Sequence, residues 1–241
     1  MQAVQLTTQV AFGASDTLHG HVDGFLIRQA DGSDRREPDT IKAIMDHLVA
    51  EVLRACLTES ANRTGLDKKG RRVVDTTTKT VNKAAGFILS RAVHKLDIEQ
   101  HRGIAGYMAS LRLLHDGGAS SSVAFPLPAD LAADGRDILG TIIDGGGARK
   151  NPKLLSFVQD LAVVGTEYYL DQPLKIMKFG PILQSVSNTG TSAIRKAVLF
   201  TIKELIPTLD QRQSIALSEY LLELIQDHPV SERTPLGIHA A

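Results

Sequence analysis

From Pro38 to about Gln226 the apolar residues of this chain return every three or four positions, and proline and glycine stops divide the pattern into segments. That spacing lines one face of a helix, and each face must be buried against another helix. Only 5% of residues are aromatic and none is Trp, so the core has to come from Leu, Ile, Val and Ala. The expected fold is mainly α: one helical domain of about seven helices (38–228), preceded by a small N-terminal β-hairpin or arm (1–37). A flexible tail (229–241) follows, and a subdivision near 117–126 is the alternative.

The first helix begins at Asp39 or Thr40 and buries Ile41, Ile44, Met45, Leu48, Val52, Leu53 and Cys56; ESANRTGLDKKG ends it. The second starts near Asp75, with Val74, Val81, Ala85, Ile88, Leu89, Ala92, Val93 and Leu96 inward. A third covers Ile98 to Leu114 and stops at Gly117-Gly118, where GGASSSVAFPLP reads as a linker. Helices over Pro128–Ile143 and from Asn151-Pro152 to Tyr169 follow, then an irregular stretch around Pro173 and Pro181. SNTGTS opens another helix, which Pro207 stops. The last, Asp210 to Gln226, is apolar on most sides, so it is either central to the core or docked on a partner chain.

Residues 1–37 follow another rule. Val4, Leu6, Thr8, Val10 and Phe12 alternate with period two, as in a half-buried strand, and Val22–Arg28 is the expected second strand of a hairpin.

Charge is unevenly placed. The chain carries 27 basic and 27 acidic residues, yet Arg63–Lys95 holds nine Lys/Arg against Asp67 and Asp75. With no global excess, any attraction to polyanions has to be local. Lys79, Lys83, Phe87, Arg91 and Lys95 recur every four residues, which winds them slowly around a helix beside its apolar face. Lys68, Lys69, Arg71 and Arg72 are expected in the loop ahead of that helix. Long cations along a surface suit phosphate neutralisation, and a guanidinium or Phe87 can stack on an unpaired base. Two readings stay open: an anionic partner, nucleic acid being the commonest, or a solvated face balanced by the acids of residues 31–59. No helix-turn-helix, RNP, KH or zinc-finger pattern accompanies the charge.

His19-Gly20-His21-Val22-Asp23 is the most enzyme-like string, because on a strand its three ligand types share one face. It is similar to the H-x-H-x-D-H pattern of metallo-β-lactamase-fold hydrolases, with Gly24 in place of the last His and no downstream αββα alternation. A metal hydrolase is therefore kept only as a second alternative, behind a protein–protein adaptor. His94, Asp97 and His101 could share a helix face, but Asp97 serves equally as an N-cap. GGGARKNPK (with Arg149 and Lys150) and SNTGTSAIRK each place glycine and cations at an expected helix start, where anions are favoured. Neither has P-loop or dinucleotide-loop spacing, so no cofactor is expected.

Cys56 is the only cysteine and lies in an apolar pattern, which suggests an inert buried thiol in a reducing compartment. The N-terminal residues lack the basic and apolar regions of a Sec signal, and no apolar run reaches bilayer length. The expectation is a cytoplasmic, non-catalytic binding or regulatory protein without membrane contact, whose C-terminal helices serve self-association or a protein partner.

Overall fold

The computed structural model describes residues 6–31, 35–146 and 152–229. Among them the chain is mainly α-helical with a four-stranded antiparallel sheet, as the periodicity requires. Strand β1 (Leu6–Gly13) lies inside the sheet order β2-β3-β1-β4, with β2 at Arg112–His115, β3 at Ser120–Pro126 and β4 at Ile225–Pro229. Val10 pairs with Phe125 on one side and with Ile225 on the other. These residues, with Phe12 and Val123, turn one face of the sheet into the main core. Ala11, Leu113 and Ala124 form a smaller cluster on the opposite face.

The strand expected at Val22–Arg28 is instead part of helix α1 (Asp16–Ala30). Its buried residues, Leu18, Val22, Phe25 and Leu26, follow helical spacing, and the Ser15 hydroxyl caps it by accepting from the Leu18 N–H. The partners of β1 lie more than 100 residues away, so it forms no local hairpin. The supposed linker is β3, hydrogen-bonded to strands on both sides. The third helix stops at Ser110 and the last at Leu224, each ceding its final expected residues to a strand.

Helix α2 (Pro38–Leu53) starts with proline in its first turn. It continues through a π-helical turn, Arg54–Glu59, into α3 (Ser60–Thr64), and the rod ends only where Gly65 takes φ 62°. Helix α4 (Lys68–Ala92) begins seven residues earlier than expected. Asp67, not Asp75, caps it by accepting from the Gly70 N–H at 2.7 Å. Its buried stripe runs from Gly70 through Val74, Thr77, Val81 and Ala85 to Ala92.

Helices α5 (Ile98–Ser110) and α6 (Ala129–Thr141) precede α7 (Pro152–Thr166), which passes through a second π turn, Glu167–Asp171, into α8 (Gln172–Met177). Helix α9 (Pro181–Leu205) packs along α4, and α10 (Gln211–Leu224) follows. Leu217, Tyr220, Leu221 and Leu224 of α10 are buried in the core of their own chain. No helix of the described residues is long and apolar enough to cross a membrane.

Candidate functional site

The two sides of α4 carry the two features of this fold with chemical content. Its outer side is the basic surface. Lys68, Lys69, Arg71, Arg72, Lys79, Lys83, Arg91 and Lys95 are all exposed, the last on the short 3₁₀ turn that follows the helix. Among the described residues none of these eight forms an ion pair with a carboxylate. Arg71 donates to the Leu66 carbonyl at 3.1 Å and to the Asn62 amide oxygen at 3.3 Å.

Four acids of residues 31–59 have cations of their own. Glu37 pairs with Arg28 at 2.9 Å, Asp46 with Lys42 at 2.6 Å, Glu51 with Arg54 at 2.9 Å and Glu59 with Arg63 at 3.1 Å. Arg63, counted with the basic segment, also pairs with Glu223 at 3.2 Å and sits over the Tyr220 ring. It belongs to an ion-pair cluster rather than to the free surface.

Because α4 starts at Lys68, the KKGRR residues stand in helical register with the later lysines instead of preceding them in a loop. At about 100° per residue, Lys68, Arg72, Lys79 and Lys83 fall within an arc of roughly 60°. Exposed Asp75, the one acid of α4, lies beside that arc. From Lys68 to Arg91 the ridge is about 35 Å long. At its far end the Arg91 guanidinium stacks over the Phe87 ring at 4.0 Å, which leaves the ring 43% exposed. Arg149 and Lys150 lie outside the described residues.

The other anion-loop candidate is not a loop. Ser187–Ser192 is in the middle of α9, and Gly190 is buried where that helix meets α4. Its glycine serves close packing, and the backbone N–H groups there are within the helix.

The histidine string is also rearranged. On α1, His19 and Asp23 share a face and His21 turns away, with its ring edge-on to His47 at 5.2 Å. Between His19 and Asp23 sits Arg112 of β2, donating to the His19 Nδ1 at 3.1 Å and to the Asp23 carboxylate at 2.9 Å. A guanidinium only donates, so Nδ1 accepts, and the Ser121 hydroxyl 3.0 Å away donates to the same lone pair. The neighbouring cavity of about 30 Å³ holds on the order of one or two waters, too small for a substrate. This cluster fastens α1 to the sheet.

His94 lies in the turn after α4, 3.8 Å from Asp39. His101 is buried on α5 and its Nδ1 donates to the Asp97 carbonyl at 2.7 Å. Asp97 caps α5 and separates the two histidines. Among the described residues no group of three or more His, Cys, Asp or Glu could hold a metal ion.

The inner side of α4 has a feature that local sequence reading missed. Val81 and Ala85 face a cavity of about 200 Å³, walled also by α2, α7, α9 and α10 and floored by Val10 and Phe125 of the sheet. Its lining is almost entirely aliphatic and aromatic and contains no charged side chain. Both π turns that interrupt long helices beside it contribute to the wall, the first through Cys56 and Leu57, the second through Tyr169 and Leu170.

Cys56 has accessible surface, yet protein surrounds it closely enough that burial pushes its thiol up to about 11. The two facts agree if its free surface faces the cavity, and such a thiol is inert at neutral pH, as its apolar context suggested. The Tyr169 hydroxyl is buried with no hydrogen-bond partner in the protein, and burial first, then the nearby Cys56 thiol, raises it well above the usual phenol range.

Comparison of the chain with protein-family models, with curated proteins and with solved structures finds no match.

Proposed function

We propose that this is a non-catalytic binding protein that engages nucleic acid through the outer face of α4. The observation that supports this reading is the row Lys68, Arg72, Lys79 and Lys83, exposed on one helix face and without carboxylate partners among the described residues. A cation already paired has little to gain from a phosphate, whereas an unpaired one releases condensed counterions on contact. The ridge is convex and carries no groove-reading motif. The expected binding therefore follows the backbone and is indifferent to base sequence, with the Phe87–Arg91 stack as a platform for an unpaired base. A cytoplasmic location goes with this reading, and the single unpaired cysteine suits a reducing compartment.

A second reading is a regulator that touches only protein, itself included. Val163 on α7 and Phe200 on α9, each 57% exposed, favour it. Purification from native lysate with and without nuclease separates the two. Nucleic-acid absorbance that nuclease removes, and that Glu at Lys79, Lys83, Arg91 and Lys95 abolishes in a folded protein, supports the ridge. A protein partner that survives nuclease and those substitutions supports the second reading and counts against the first.

A further inference from the structure

We propose that the cavity behind α4 is a binding site for a small uncharged apolar molecule. Native interiors hold few voids larger than a water, so an apolar cavity of about 200 Å³ at the centre of five helices and a sheet stands apart. An engineered apolar cavity of about 150 Å³ admits benzene, so the space here suits roughly eight to ten non-hydrogen atoms.

The polar atoms on the wall define the ligand's chemistry. The Ser60 hydroxyl donates to the Cys56 carbonyl at 3.0 Å and the Thr166 hydroxyl to the Ala162 carbonyl at 2.7 Å, so both donors are occupied within their own helices. The Tyr169 hydroxyl has no partner, but it has almost no accessible surface and is closed off from the cavity, which leaves the lining without a free donor. No Lys, Arg or His lines the cavity, so a carboxylate would enter without a counter-charge, and the site selects against anions of the same shape.

The local backbone points the same way. π turns are rare and concentrate at functional sites, and two of them, from distant parts of the chain, present Cys56 and Tyr169 to this one space. Predominantly apolar walls are the usual make-up of a small-molecule site.

The test is titration of the full chain with acetophenone, ethylbenzene and benzoate, followed by calorimetry and by melting temperature. Ethylbenzene is expected to bind saturably and raise the melting temperature, acetophenone to bind no more tightly, and benzoate not to bind. Ala162→Phe, which fills the space from α7, should abolish binding of both neutral probes in a protein that keeps its helical circular dichroism. Failure of both neutral probes to bind overturns the proposal. So does acetophenone binding that persists in folded Ala162→Phe. If Ala162→Phe does not fold, the probes decide alone: benzoate binding as tightly as ethylbenzene overturns it.

Discussion

A Cβ on Gly190 of α9 would lie 2.7 Å from the Cδ1 of Ile88 on α4 and 2.8 Å from its Cγ1, so the two helices meet where only a hydrogen fits. Ile88 is 3% exposed and packs with Leu53, Val81, Ala85 and Ile194. A buried hydrogen bond between the Thr77 and Thr201 hydroxyls ties the same two helices together. The basic ridge thus stands on a helix held firmly from behind.

Gly190→Ala tests that contact. Alanine gains about 1 kcal/mol of helix propensity, while overpacking a close crossing costs about 1–3 kcal/mol. The net expectation is a loss of about 1 kcal/mol, read as a lower urea midpoint, with affinity for an oligonucleotide unchanged. A variant as stable as the parent would mean the helices separate freely there.

Acid should unfold the protein through carboxylates that depend on their cations. The Arg28 hydrogen bond holds Glu37 below the usual range, and the Arg136 and then the Thr8 hydrogen bond do the same for Asp227, which links α6 to β1 and β4. Burial pushes Glu51 up, and hydrogen bonds from Ser15 and Arg54 outweigh it. Each of these groups has a folded-state pKa below its unfolded value. Its contribution is present above the ordinary carboxylate range, near pH 4 to 4.5, and is lost as pH falls through the depressed value. Urea midpoints measured from pH 7 to 3 should fall, and Asp227→Asn should lower the midpoint at pH 7 and flatten the decline.

Alkali acts in the opposite sense on Cys56. Its thiol is raised from 9.0 to about 11, so the stabilisation is full below pH 9 and is lost as pH rises towards 11. At pH 8 the folded thiol should react with iodoacetamide about a hundredfold more slowly than the same thiol in urea, following its thiolate fraction. Equal rates would place Cys56 in open solvent.

Arg112 is largely buried between His19 and Asp23, and its Nε has no partner in the protein. Asp23→Ala leaves that guanidinium without its carboxylate and should cost about 1–2 kcal/mol, because Asp23 is itself half exposed. Thermal denaturation followed by circular dichroism measures the loss. An unchanged melting temperature would show that the α1–sheet fastening contributes nothing.

What could be read from the chain follows the range of each interaction. The apolar stripes of α2 and α4 are local, and most of the residues expected inward there are buried. The alternation in β1 is local too, but its partners are set by β3 and β4, more than 100 residues distant, and hydropathy does not encode that pairing. Val22–Arg28 reads as a strand only while its own spacing with Leu18 and Phe25 is ignored. The small residues of SSSVAFP look like a linker because a central strand opposite Ala11 needs little bulk. Of the candidate site, the cations of α4 were visible as charge. That they have no carboxylate partners among the described residues depends on where Glu37, Glu51 and Glu59 point, which only the fold decides. The cavity was hidden because its wall is assembled from helices and strands far apart in the sequence.

The central claim is that the outer face of α4 neutralises phosphates. Its most direct test is the salt dependence of binding to a single-stranded oligonucleotide, for the parent and for Lys79→Glu/Lys83→Glu. If Lys68, Arg72, Lys79 and Lys83 each contact a phosphate, the logarithm of affinity should fall against the logarithm of salt with a slope of about −3. In the double variant the slope should be no steeper than about −1.5, with weaker binding at every salt concentration. A parent slope near zero, or the same slope and affinity in a folded double variant, would contradict the account.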